Sequence, residues 1–169
     1  MSESYMTVLA SPIGPIGMVI DGETLEIRDF IDDEGRFDGL VARQYPQGVR
    51  RAASDPSGIA DRITAYLGGQ LDAIETIPTR PSGTAFQQSV WQSLRTIPCG
   101  ATISYAELAR RVGSPRASRA VGQANGRNPI AIVHPCHRVI GADGTLTGYG
   151  GGLGRKEWLL RHEGSLERG

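Results

Sequence analysis

Hydrophobic and polar positions follow two different rhythms along the chain. Over the first third, apolar residues come in short alternating or unbroken runs separated by turn residues. Over the second half they recur at helical spacing. The first rhythm predicts strands over 5–10 and 16–30, on either side of the turn cluster Ser11-Pro12-Ile13-Gly14-Pro15. Asp21-Gly22, between Met18-Val19-Ile20 and Leu25-Glu26-Ile27, predicts a hairpin. The acidic stretch from Asp29 to Glu34 reads as a solvated loop. Asp55-Pro56 predicts an N-cap with proline at the first helical position, followed by the stripe Ile59, Ile63, Leu67 and a stop at Gly68-Gly69. Ile74–Ile77 predicts a further short strand. Residues 1–77 therefore read as a small α/β scaffold.

Pro78-Thr79-Arg80-Pro81-Ser82-Gly83 is dense in breakers and predicts a linker over 78–83, leaving 84–169 as a second domain. That domain reads as mainly helical. Thr84 with Gln87 makes a capping box before the face Phe86, Val90, Trp91, Leu94, and Pro98 ends the helix. Ser104 with Glu107 makes a second box before Leu108, Ala109 and Val112, with Gly113 as the stop. Ser114-Pro115 predicts the start of a third helix carrying Ala117, Ala120, Val121 and Ala124 to Gly126. Two short helices around a Gly-Ser-Pro turn resemble a helix-turn-helix. The second presents Arg116, Ser118, Arg119 and Gln123 among small neighbours that allow close approach to another surface, either DNA or another helix. Ile130–Val133 reads as a buried strand, Gly141–Gly144 as a turn, and Gly148–Gly152 as a glycine-rich loop holding Tyr149. Trp158, Leu159 and His162 lie on a closing helix.

Composition changes this picture in one respect. The formal net charge is zero, yet residues 1–83 carry 7 arginines against 13 carboxylates, a net of −6, and residues 84–169 carry 11 basic residues against 5 acids, a net of +6. A basic second half beside an acidic first half points to a polyanionic partner for the second. No apolar run approaches a membrane span, so no membrane association is expected. Two cysteines, Cys99 and Cys136, form no disulfide framework, and a reduced cytoplasmic compartment is the default. Three histidines and an adjacent Cys-His pair lack structural-zinc spacing, so no metal and no cofactor are expected.

The candidate chemistry sits at 134–140, His-Pro-Cys-His-Arg-Val-Ile. A thiol reacts as thiolate, and a neighbouring imidazole is one of few groups that generate thiolate near neutral pH. Pro135 places Cys136 after a stiff bend. The sequence leaves open whether this is a nucleophile or a buried structural cysteine beside an unrelated histidine.

Six ordered stretches settle the direction. Ile103-Ser104-Tyr105, Arg119-Ala120-Val121-Gly122, Arg127-Asn128-Pro129, Pro135-Cys136-His137-Arg138-Val139, the Gly148–Leu153 loop and Lys156-Glu157-Trp158-Leu159-Leu160 together resemble the O6-alkylguanine-DNA alkyltransferases. The resemblance is strong over 84–164 and weaker over 1–77. It implies a ribonuclease-H-like α/β N-terminal domain and a mainly α C-terminal domain with a helix-turn-helix and small wing. It implies a DNA repair protein that turns O6-alkylguanine out of duplex DNA and moves the alkyl group irreversibly to Cys136, in one turnover.

Carried over by the same resemblance, His137 is the base, through a water, and Glu163 orients it. Asn128 ties the helix pair to the active-site turn, and Tyr105 donates to the departing base. Tyr149, Val139, Gly150 and Lys156 belong to the base pocket. Arg119 fills the space the base leaves, with Arg116, Ser118, Ala120, Gln123 and Ser104 on the DNA-facing surface. The implied partner is double-stranded DNA, met in the minor groove with little sequence specificity. The protein is expected to be a monomer in solution, with clustering along DNA left open. His134 stands where family members usually have an aliphatic residue, and Gly150 where some have serine.

Overall fold

A computed structural model describes residues 4–31 and 35–166. The chain forms two compact units, Met1–Ser82 and Gly83–Gly169.

In the first unit, β1 (Tyr5–Leu9), β2 (Ile16–Asp21) and β3 (Thr24–Phe30) form an antiparallel meander, joined by the Asp21-Gly22 turn. A two-residue strand, β4 (Arg50–Arg51), adds parallel to β1, giving the order β3-β2-β1-β4. Helix α1 (Arg36–Gln44) sets Phe37 against Val19 and Ile27. Gly17 makes room for it, because a Cβ there would sit 2.5 Å from the Phe37 ring. Helix α2 (Ile59–Leu67) buries Ile59, Ile63, Tyr66 and Leu67.

Four expectations change here. Asp29 is not in a solvated loop. It is buried in β3 and paired with Arg36 at 2.5 Å, while residues 32–34 lie outside the described residues. Helix α2 starts at Ile59 rather than after Asp55, yet Asp55 Oδ2 still accepts from Ala60 N at 2.7 Å, capping across an intervening turn. Residues 74–77 form turns rather than a strand. The pairing comes later in the chain, where Leu25 N donates to the Pro78 carbonyl and Arg80 N to the Leu25 carbonyl, both at 2.9 Å. The first half of the 78–83 segment is therefore bonded to β3.

The second unit is mainly helical. α3 (Ala85–Leu94) begins with the Thr84–Gln87 capping box, both hydrogen bonds present. α4 (Tyr105–Arg111) is capped by Ser104 Oγ, which accepts from Glu107 N at 3.1 Å. The reciprocal half is missing because the Glu107 carboxylate is taken by Arg110 and Arg111. α5 (Ser118–Gly126) starts four residues after Ser114, following a turn in which Ala117 N donates to the Ser114 carbonyl. α6 (Leu153–His162) closes the chain, and β5 (Ile103–Ser104) pairs parallel with β6 (Val139–Ile140).

Val90, Trp91, Leu94, Leu108, Ala109, Val121, Ala124 and Val139 build the core, with Cys136 inside the same cluster. The Trp91 indole donates to the Ala124 carbonyl at 2.8 Å, tying α3 to α5. Ile130–Val133 is a tight turn rather than a strand, with His134 N bonded to the Ile130 carbonyl at 2.9 Å. Ile132, at its apex, takes a φ of 73°, a strained value for a β-branched residue, and is fully buried. A buried apolar run of four looks the same in sequence whether it extends or turns.

Candidate functional site

Cys136 opens a single 3₁₀ turn, Cys136–Arg138, that leads into β6. Its position is set from upstream by Asn128. The Asn128 Nδ2 donates to the His134 carbonyl at 2.7 Å, and its Oδ1 accepts from Ile130 N at 3.0 Å. One buried side chain thus closes both ends of the turn, and Cys136 N donates to the same His134 carbonyl at 2.7 Å. Asn125, on α5, reaches the Cys136 carbonyl at 3.5 Å. Cys136 and Cys99 are not in a disulfide.

Behind the thiol lies a fully buried charge network. His137 Nε2 lies 2.9 Å from Glu163 Oε2. A carboxylate can only accept, so Nε2 carries the proton and Nδ1 is left as the acceptor. Nδ1 has no hydrogen-bond partner among the described residues. Arg138 grips the same carboxylate as a fork, Nε to Oε1 and Nη2 to Oε2, both at 2.8 Å. Its Nη1 donates to the Ile97 carbonyl at 2.7 Å.

Burial pushes the His137 imidazole below its ordinary value, outweighing Glu163, and the charges of Arg138 and Lys156 push the same way. Burial alone would raise the Glu163 carboxyl. The forked hydrogen bonds and charge of Arg138, with the hydrogen bond from His137, overcome this and hold it well below the usual range. His134, also buried, is pushed down to about 3 by desolvation and by Arg95, so it is neutral near physiological pH.

The second unit also holds an open cleft of about 520 Å³. α4 lends Tyr105, α5 lends Arg119, Gly122, Gln123 and Gly126, and the loop lends Gly148, Tyr149 and Gly150. Tyr105 and Tyr149 also pack against the core cluster that contains Cys136. Cys136 does not line the cleft and is only 6% exposed.

The sequence-derived candidates divide accordingly. Tyr105, Arg119, Gln123, Tyr149 and Gly150 meet at the cleft, while Cys136, His137, Asn128 and Glu163 are buried and do not line it. Arg116 and Ala120 are exposed and Ser118 half-buried on or beside α5, away from the cleft lining. The Ser104 hydroxyl is occupied as the α4 cap. Lys156 is completely buried, and its Nζ donates at 2.6 Å to both the Val139 and Thr147 carbonyls. It therefore braces the loop against β6 instead of facing the cleft. Desolvation draws its ammonium down to about 8, against the opposing charge of Cys136.

Two residues outside the candidate set matter: Asn125 and Arg138. Arg138 had a signal in the sequence, a guanidinium inside an apolar segment, which folding can bury only with a partner.

Among the described residues, no group of three His, Cys, Asp or Glu side chains could hold a metal, and no helix is long and apolar enough to cross a membrane. Several arginines of the second unit are engaged by carboxylates: Arg110 and Arg111 by Glu107, Arg138 by Glu163, Arg161 by Glu157. Among the described residues, no such ion pair is found for the exposed Arg116, Arg119 and Arg127 on α5 and its flanks.

Residues 85–165 match the family model described as 6-O-methylguanine DNA methyltransferase, DNA binding domain. A Methylated-DNA--protein-cysteine methyltransferase of Shigella flexneri is 48% identical over 161 residues, covering 94% of each chain. One from Mycobacterium bovis is 45% identical over 165 residues, covering 95% of this chain and 92% of its own. Among solved structures, Mycobacterium tuberculosis OGT in complex with DNA superposes with a TM-score of 0.81 at 43% identity, over 95% of this chain and 93% of that one. The chain belongs to the methylated-DNA–protein-cysteine methyltransferase family.

Proposed function

We propose that this protein repairs DNA by drawing O6-alkylguanine out of the duplex and taking the alkyl group onto Cys136, once per molecule. The observation that carries the reading is the arrangement of cleft and relay. A cleft bordered by an arginine-bearing helix and a glycine loop backs onto a core cluster holding Cys136, and His137 beside it has Nδ1 as its proton-accepting atom.

In the reaction, His137 Nδ1 takes the thiol proton through a water. The Cys136 sulfur then attacks the alkyl carbon, the carbon–O6 bond breaks, and its electron pair stays on guanine. Tyr105 donates to the departing base and passes it a proton, and the proton taken from the thiol by His137 returns through water to Tyr105, so thiol and alkylguanine end as thioether and neutral guanine. Glu163 keeps the imidazole in the competent tautomer, as the third member of a triad does. Tyr149, Gly150 and the Val139 backbone line the base pocket. Lys156 holds the Val139 and Thr147 carbonyls together, so it shapes that pocket from behind.

α4 and α5 act as a helix-turn-helix, with the β5–β6 region as the small wing, and the first unit is the ribonuclease-H-like domain of the family. α5 enters the minor groove, where Gly122 and Gly126 allow close approach. Arg119 occupies the space that the extruded nucleotide leaves, offsetting an unstacking cost of roughly a few kcal/mol. Arg116, Ser118, Ala120, Gln123 and Ser104 face the backbone. Contacts of this kind carry little sequence preference. The protein works as a monomer in the cytoplasm.

The test is the intact mass of the protein after incubation with duplex DNA containing O6-methylguanine. One added methyl group on a Cys136 peptide is expected, and none for Cys136→Ser. Binding without a mass change would refute the transfer, and modification elsewhere would refute Cys136 as the acceptor.

A further inference from the structure

We infer that Arg138 is a positioning residue that keeps His137 unprotonated and competent to receive the thiol proton, by serving as the ion partner of Glu163 in its place. This deepens the proposed function and rests on it.

The argument starts from the carboxylate. Glu163 is buried beside two groups able to balance its charge, His137 and Arg138. Arg138 engages both oxygens, while His137 reaches only Oε2. A guanidinium stays charged at any pH the protein meets, so the bidentate pair satisfies the carboxylate without a proton on imidazole. His137 then contributes only a neutral Nε2–H, and Nδ1 remains open. The Ile97 carbonyl fixes the third arm of Arg138, so the fork is not free to swing away.

Remove the guanidinium and Glu163 becomes a buried carboxylate with His137 as its remaining partner among these groups. Such a charge recruits a proton. A doubly protonated imidazole has no lone pair for the thiol proton, and transfer would stall at neutral pH. The charged groups acting on His137 are Glu163, just after α6, Lys156 from α6 and Arg138 from its own turn. Of these, Glu163 favours protonation, while Arg138 and Lys156 oppose it. Arg95, the residue that follows α3, acts on His134 instead.

The experiment measures the single-turnover rate of alkyl transfer from free O6-benzylguanine against pH, for wild type, Arg138→Gln, Arg138→Lys and the double variant Arg138→Gln/Glu163→Gln. The protonation state of the His137 ring is followed by nitrogen NMR. In Arg138→Gln the acid limb of the profile should move up by about one pH unit or more, with activity recovering toward higher pH. The Arg138→Lys limb should stay near that of wild type, because the charge is kept. The double variant should also return it, since it leaves no carboxylate to neutralise.

Wild-type His137 should be neutral, with its proton on Nε2, at pH 7. A rate lowered by one factor at every pH, with His137 neutral throughout, would overturn the inference and leave Arg138 a structural brace. An imidazolium in the wild type at pH 7 would overturn it too. If Arg138→Gln does not fold, the wild-type NMR and the Lys and double variants still decide. A wild type that transfers no alkyl group would refute the proposed function, while the NMR readout would still judge Arg138 independently.

Discussion

The Tyr105 hydroxyl donates to the Thr147 carbonyl at 3.1 Å, so the group assigned to the departing base is already engaged with the loop. The contact is close on both sides. A Cβ at Gly148, which has a φ of +58°, would come within 3.2 Å of the same hydroxyl. Substrate entry therefore exchanges one hydrogen bond for another, from the loop to the base. Tyr105→Phe should loosen the loop, which Lys156 and Arg155 also anchor, and also remove the donor. Carbamidomethylation of Cys136 by iodoacetamide should speed up by roughly fivefold, the worth of about 1 kcal/mol. Transfer from O6-benzylguanine should slow by roughly a hundredfold. Both rates falling together would show that the hydroxyl does not hold the loop.

Asn128 spans the turn that delivers Cys136 and makes two buried hydrogen bonds. Asn128→Ala removes one of two donors from the buried His134 carbonyl, which keeps Cys136 N, and takes the side-chain acceptor away from Ile130 N in a closed site. A loss of about 2–4 kcal/mol in urea unfolding is expected. Asn128→Asp keeps the acceptor for Ile130 N but sets a carboxylate against the His134 carbonyl, so it should not restore stability. Stability equal to wild type in either variant would contradict the bracing role.

Arg119 is exposed on the cleft rim with no carboxylate partner among the described residues. Arg119→Ala should slow repair of duplex DNA by about a hundredfold, a few kcal/mol of lost compensation for unstacking. Reaction with free O6-benzylguanine should be nearly unchanged. Equal losses on the two substrates would remove the finger role.

His134 and His137 are buried in the neutral form, both with lowered pKa. Below the ordinary histidine value the unfolded chain binds protons that the native protein resists, so stability should fall as pH drops through about 6.5. The slope should be about 1.4 kcal/mol per pH unit for each histidine. For His134 the loss should continue toward about 3. Glu163 adds to it only below the ordinary carboxylate range, because its carboxyl is held low. Urea titrations at pH 7.5, 6.5 and 5.5 should show this slope, reduced by about half in His134→Gln. An unchanged slope would mean that His134 is solvated.

What the sequence by itself determined was local. The strands over 5–10 and 16–30, the hairpin at Asp21-Gly22 and the Thr84–Gln87 capping box are encoded by neighbours within a few residues, and all are found. The Cys136–His137 pair was equally visible, because the two are adjacent. Tertiary structure decided the rest. The 78–80 pairing with β3 and the turn at Ile130–Val133 depend on partners far along the chain, which periodicity does not encode. Lys156 became a buried brace because two carbonyls from separate segments converge on it. Arg138 and Glu163 lie 25 residues apart, and only the docking of α6 against the 3₁₀ turn places them together. The physical reason is the same throughout: propensity and capping act along the chain, whereas a buried charge takes whichever partner the fold puts beside it.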